Sequence, residues 1–136
     1  MRYCLPLAGL FALACLMPVG GFAHTVTNGP HGGEVEDANP GPTLHIETVV
    51  KGTTLTVYLS DLNGNALPAT GVTGKAIVLA NEKKDYFDLA PSGTDKLTGT
   101  GNFADDPNMK ALVTLTVDGA TQKALFSQLH VQAQAQ

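Results

Sequence analysis

Four histidines, His24, His31, His45 and His130, are the side chains of this sequence best suited to chemistry, and Glu47 follows His45 at a spacing of two. A histidine at a chain terminus offers a metal two nitrogens at once, the free α-amine and the ring Nδ1. Cleavage after Ala23 makes His24 such a terminus. With an imidazole from His31 it would complete a nearly planar, T-shaped set of three nitrogens, a geometry that Cu(II) prefers. The six residues between the two histidines are enough to loop back. His45 and Glu47 alternate along an expected strand, so their side chains share one face and add a nitrogen and a carboxylate. Imidazole suits copper and zinc. The candidate ligands are therefore His24, His31, His45 and Glu47, and the candidate ions Cu(II) or Zn(II).

Each residue has a plainer reading. His24 can be a residue on a solvated arm, and His31 can serve only the turn in Pro30-His31-Gly32-Gly33. His45 and Glu47 can be an ordinary polar pair on the wet side of a sheet. His130 reads as a solvated strand residue. Met109 has a sulfur suited to copper, but a lone loop methionine more often packs on the core.

The elements that must position these groups are strands. Gly32-Gly33 leads into a first strand, with Val35 expected to point inward between Glu34 and Glu36, and Asn39-Pro40-Gly41-Pro42 ends it. Residues 43–50 and 53–60 are β-rich runs around Lys51-Gly52, read as a two-residue hairpin connection. Pairing Val50 with Thr53 sets Ile46 opposite Val57 and Thr48 opposite Leu55 on an apolar face. It sets His45 opposite Tyr58 and Glu47 opposite Thr56 on the reverse face. Strands are also expected at 75–80, 85–89, with Pro91 as a stop, and 96–100. Residues 110–117 and 120–131 form a hairpin on Asp118-Gly119, a favoured type I′ pair. In its second arm the apolar phase shifts by one after Phe126, to Leu129 and Val131, which predicts a bulge or bend near Ser127-Gln128.

Some seven or eight short strands, frequent Gly, Pro and Asn turns, and no amphipathic helix after the first residues predict an all-β, antiparallel two-sheet sandwich of immunoglobulin-like kind, with a small barrel as the alternative.

Arg2, the apolar run 5–19 and the small residues Gly21 and Ala23 have the order of a secretory signal, too short for a good membrane span. The expected organisation is a signal peptide at 1–23, an extended arm at 24–30, a sandwich domain at 31–132 and a polar tail at 133–136. A rival cut before Cys15 would make a lipoprotein. Cleavage after Ala23 removes Cys4 and Cys15, both cysteines of the chain, so no disulfide staples the remaining 113 residues and the ligands must be nitrogen and oxygen. It also removes Arg2 from the eight basic residues. Seven lysines then face twelve carboxylates, a net charge of −5 that argues against nucleic-acid binding.

In Gly29-Pro30-His31-Gly32-Gly33 (GPHGG), residues 44–52 (LHIETVVKG) and residues 57–68 (VYLSDLNGNALP), the chain resembles the small periplasmic β-sandwich modules that accompany bacterial heavy-metal resistance and efflux systems, alone or joined to efflux adaptor proteins. Weaker likeness runs through residues 96–103 and the Asp118-Gly119 hairpin. The resemblance implies a periplasmic, non-enzymatic protein linked to metal handling, with His31, His45 and Glu47 at matching positions. His24 and His130 have no match, so their roles rest on chemistry alone.

Enzymatic classes fit poorly. A terminal-histidine copper oxygenase acting on polysaccharide needs a flat aromatic surface, and the chain has no tryptophan. Nucleophilic hydrolysis lacks a strand-turn-helix serine motif and a cysteine nucleophile. A module that binds an efflux adaptor or other envelope protein without any metal needs only the sandwich and an exposed edge, and is the alternative function.

Overall fold

A computed structural model describes residues 27–40, 43–129 and 131–132. His24, His130, the expected signal peptide and the tail at 133–136 lie outside the described residues. The described chain is all-β and antiparallel, with nine strands: β1 (Thr27–Asn28), β2 (Glu34–Asp37), β3 (His45–Lys51), β4 (Thr54–Ser60), β5 (Thr73–Ala80), β6 (Lys83–Pro91), β7 (Lys96–Thr100), β8 (Lys110–Val117) and β9 (Ala120–Phe126). No helix among them is long and apolar enough to cross a membrane.

Strand order is β1-β2-β3-β4-β7-β6-β5-β8-β9. β1-β2-β3-β4-β7 make one sheet and β6-β5-β8-β9 the other, packed as an immunoglobulin-like sandwich. β6 joins the two sheets, pairing with β5 up to Leu89 and with β7 through Ala90 and Pro91. Pro91, expected to stop this strand, is its last residue. At the other margin Asn39 and Lys123 exchange backbone hydrogen bonds of 2.9 and 2.8 Å. That bridge ties the residues after β2 to β9 and leaves the sandwich nearly closed.

Alternation fills the core. Leu55, Val57 and Leu59 of β4 face Ala76 and Val78 of β5, Val113 and Leu115 of β8, and Phe126 of β9 across the interior. Burying each large apolar side chain contributes about 1.5–3 kcal/mol. Met109 joins them at 0% exposure, so its sulfur packs in the core and is closed to a metal.

The turns decide register. The β8–β9 hairpin carries positive φ at Asp118 (50°) and Gly119 (80°), as a type I′ turn requires. The β3–β4 hairpin differs from expectation: its central residues are Gly52 and Thr53, Lys51 pairs with Thr54, and Ile46 pairs with Leu59. Gly52 alone has positive φ, 59°, as at the first position of a type II′ turn. The register is displaced by two residues from the one that pairs Val50 with Thr53. A shift of two keeps every side chain on its face, so the apolar pattern cannot distinguish the two and the glycine does. Glu47 consequently lies opposite Tyr58, and His45 opposite Ser60.

β2 also corrects the expectation for its faces. Glu34, not Val35, points inward and is 5% exposed, paired across from Thr48. Its carboxylate accepts hydrogen bonds from the backbone N–H of Ser127 (3.2 Å) and Gln128 (3.0 Å). Burial of the acid is thereby compensated, and the two donors are those freed where the chain bends after β9. This is the bend that the phase shift after Phe126 predicts. Beyond it Leu129 is buried and Val131 bridges to Val50.

Thr48 is buried at 1% exposure and its hydroxyl has no hydrogen-bond partner among the described residues. Thr48→Val keeps the shape and removes an unpaired polar atom, so urea denaturation should show stability unchanged or raised by about 1 kcal/mol. A loss of that size would mean that the hydroxyl is satisfied.

Candidate metal centre

The GPHGG segment folds the arm back on the first strand. Gly29 to Gly32 form a β-turn, with the Gly32 N–H donating to the Gly29 carbonyl at 3.0 Å and the Gly29 N–H to the Gly33 carbonyl at 2.9 Å. Pro30 pre-sets the backbone at the second position, and Gly32 takes a left-handed φ of 80° after His31. The turn returns Thr27 and Asn28 to pair with Val35 and Glu34. Thr27 and Asn28 of the expected extended arm thus form a strand.

Packing against β3 explains the other two glycines. A Cβ on Gly29 would overlap the Glu47 carboxylate, and one on Gly33 would collide with the Thr48 carbonyl and the Val49 side chain. The motif's glycines are needed for close approach as much as for backbone freedom.

Glu47 is the group on which this loop is assembled. It is 5% exposed, and Oε1 accepts from the backbone N–H of His31 (2.9 Å) and of Gly33 (3.0 Å). Oε2 lies 2.8 Å from His31 Nδ1. With Glu47 ionised and the imidazole neutral, Nδ1 carries the proton and donates it, which leaves the lone pair on Nε2 at the far side of the ring. The imidazole also stacks on Tyr58, with ring centroids 3.6 Å apart and planes within 4°. Burial, and then the nearby carboxylates of Asp95 and Glu47, push the Tyr58 phenol above its ordinary value. It stays a neutral platform at physiological pH.

His45 stands on the same outer face and pairs with Asp37 across β2, its Nε2 being 3.1 Å from Asp37 Oδ1. A cavity of about 220 Å³ opens between His31, His45, Glu47, Tyr58, Val35 and Asp95. The structure thus joins His31 to Glu47 directly and puts His45 in the same cavity. Among the described residues no three or more His, Cys, Asp or Glu side chains converge as a metal group. Both oxygens of Glu47 are engaged by the loop, Oε1 by the N–H groups of His31 and Gly33 and Oε2 by His31 Nδ1.

No family model, curated protein or solved structure matches the chain.

What the residues can do chemically follows from the hydrogen bonds. One imidazole is locked in orientation and tautomer by a buried carboxylate, the arrangement that commonly supports a metal-bound histidine. It supplies one nitrogen and needs others. Nothing local in the sequence marks Asp37 as part of the site; Tyr58, expected on this face opposite His45, lies opposite Glu47 and stacks on His31. The cross-strand register carries the signal for both, since Asp37 faces His45 and Tyr58 faces Glu47.

Proposed function

We propose that this chain is an exported, periplasmic β-sandwich protein that binds Cu(II) or Zn(II) without catalysing a reaction, as a carrier, buffer or accessory of heavy-metal resistance or efflux. The observation that supports the reading most is the 2.8 Å contact between Glu47 and His31 Nδ1, which turns Nε2 into the donor nitrogen. His31 is then a ligand and Glu47 its positioning residue. His24, with its amine and Nδ1 exposed by cleavage after Ala23, would complete the set, and only two residues separate it from the start of β1 at Thr27. His45, in the same cavity, is the further nitrogen source. The resemblance in GPHGG and residues 44–52 points to the same role and to an efflux adaptor or other envelope protein as recipient.

The test is a Cu(II) titration of protein recovered after export, with its N-terminus sequenced and the electron paramagnetic resonance spectrum recorded. Several coupled nitrogens are expected, with His31→Ala and His24→Ala each removing part of the pattern. Affinity should fall as pH drops, because protons compete for imidazole and amine. Weak binding that survives both substitutions would sink the reading.

A further inference from the structure

The free nitrogen of His31 faces one side of the cavity. In the sheet Tyr58 lies between Glu47 of β3 and Lys96 of β7, and the imidazole lies flat on the Tyr58 ring. Nδ1 is turned to Glu47, so the edge of the imidazole that faces β3 is taken. The two ring nitrogens sit on nearly opposite edges, and Nε2 therefore looks across Tyr58 toward the start of β7. His45 lines the cavity from β3, on the Nδ1 side.

Asp95, the residue immediately before β7, lines the cavity from the other side. Its carbonyl accepts the Leu59 N–H at 3.4 Å, which holds its backbone against β4 next to Tyr58. Its carboxylate is close enough to act on the Tyr58 phenol. The Lys96 side chain runs toward Gly93, with Cε 3.5 Å from where a Cβ on that glycine would stand, and does not line the cavity. The other carboxylates of this face are engaged, Glu47 by the loop and Asp37 by His45. Asp95 is half-buried, and among the described residues no hydrogen bond or ion pair reaches its carboxylate.

An unpaired carboxylate thus borders the same cavity as an imidazole nitrogen whose lone pair is free, and a cation between them would satisfy both. Imidazole and carboxylate together form mixed nitrogen and oxygen sites for Zn(II) and Cu(II). The cavity of about 220 Å³ has room for such an ion with several waters, each of which takes about 30 Å³ in the liquid. We propose that Asp95 is a ligand of the same ion as His31, a carboxylate oxygen facing Nε2 across Tyr58. The inference rests on the metal-binding reading and adds to it a ligand from a separate part of the chain.

The probes are Zn(II) and Cu(II) alone, added to exported protein. In wild type labelled with carbon-13, Zn(II) should move the side-chain carboxylate resonance of Asp95 together with the ring resonances of His31. Asp95→Asn keeps the size of the side chain and should lower Zn(II) affinity about tenfold or more, an effect expected even of a ligand's supporting partner. Its urea midpoint should match wild type, since no hydrogen bond is lost, and the nitrogen coupling from His31 should stay in its Cu(II) spectrum. Asp88→Asn removes the same charge from the other sheet and should change affinity less than about twofold, because solvent and salt screen a distant exposed charge. Binding that requires His31 but leaves the Asp95 resonance and the Asp95→Asn affinity unaltered would overturn the inference and keep the metal-binding reading. Equal losses in the two asparagine variants would overturn it as well. Absence of any binding that depends on His31 would remove the reading and the inference together.

Discussion

Glu47→Ala is expected to lower unfolding free energy by about 2–4 kcal/mol, because it strips the acceptor from two backbone donors and a ring nitrogen at once. The donors are the N–H groups of His31 and Gly33, and Gly33 is packed too tightly on β3 for water to replace the carboxylate freely. Glu47→Gln separates stability from ligand orientation. Its amide oxygen can take the place of Oε1 between the two backbone donors, which puts the NH2 group opposite His31 Nδ1. That nitrogen must then accept, the ring proton moves to Nε2, and the lone pair proposed for the metal is lost. Cu(II) affinity should fall about 10- to 100-fold while stability falls less than in the alanine variant. Urea denaturation reads the first effect, metal titration the second, and the nitrogen-15 shifts of His31 report the tautomer. Equal affinity in wild type and Glu47→Gln would rule out Nε2 of His31 as the ligand.

Phe126→Ala should cost about 3–5 kcal/mol. Phe126 is fully buried, and it faces Ala111 across β8 and β9, so the partner that remains is too small to fill the space. It is also the last residue of β9, immediately before the bend whose N–H groups Glu34 accepts. Loosening it therefore weakens both the core and the closure of the sandwich. Against a typical total of about 5–15 kcal/mol, a loss of this size leaves a domain close to unfolding at physiological temperature. Leu125→Ala, one residue earlier and on the exposed face, should change stability by less than about 0.5 kcal/mol. Similar urea midpoints for the two variants would contradict this division of faces.

The strand pattern was largely legible because local rules govern it. Alternation marks β4 and β8, Asp118-Gly119 marks the β8–β9 turn, and the loss of phase after Phe126 marks the bend. Local rules do not reach the features that long-range contacts set. Val35 looks like the inward residue of its strand, but β2 is short and its register on β3 turns Glu34 to the interior, where two backbone donors from ninety residues away make a buried carboxylate acceptable. The β3–β4 register differs by two from the one that pairs Val50 with Thr53, and both registers bury the same face.

Residue types and spacing by themselves determined that this is an antiparallel β-sandwich, that His45 and Glu47 share a face, and that His31 sits in a glycine-rich turn. Those facts depend on period two, on turn chemistry and on near neighbours in the chain. Only the tertiary structure decided that Glu47 holds His31, that Tyr58 supports its ring, that His45 pairs with Asp37, and that Glu34 turns inward to accept the N–H groups at the bend after β9. Each of these joins residues distant in the chain, through strand register or through a loop packed on a neighbouring strand, and register can shift by two residues without any change in the hydrophobic pattern.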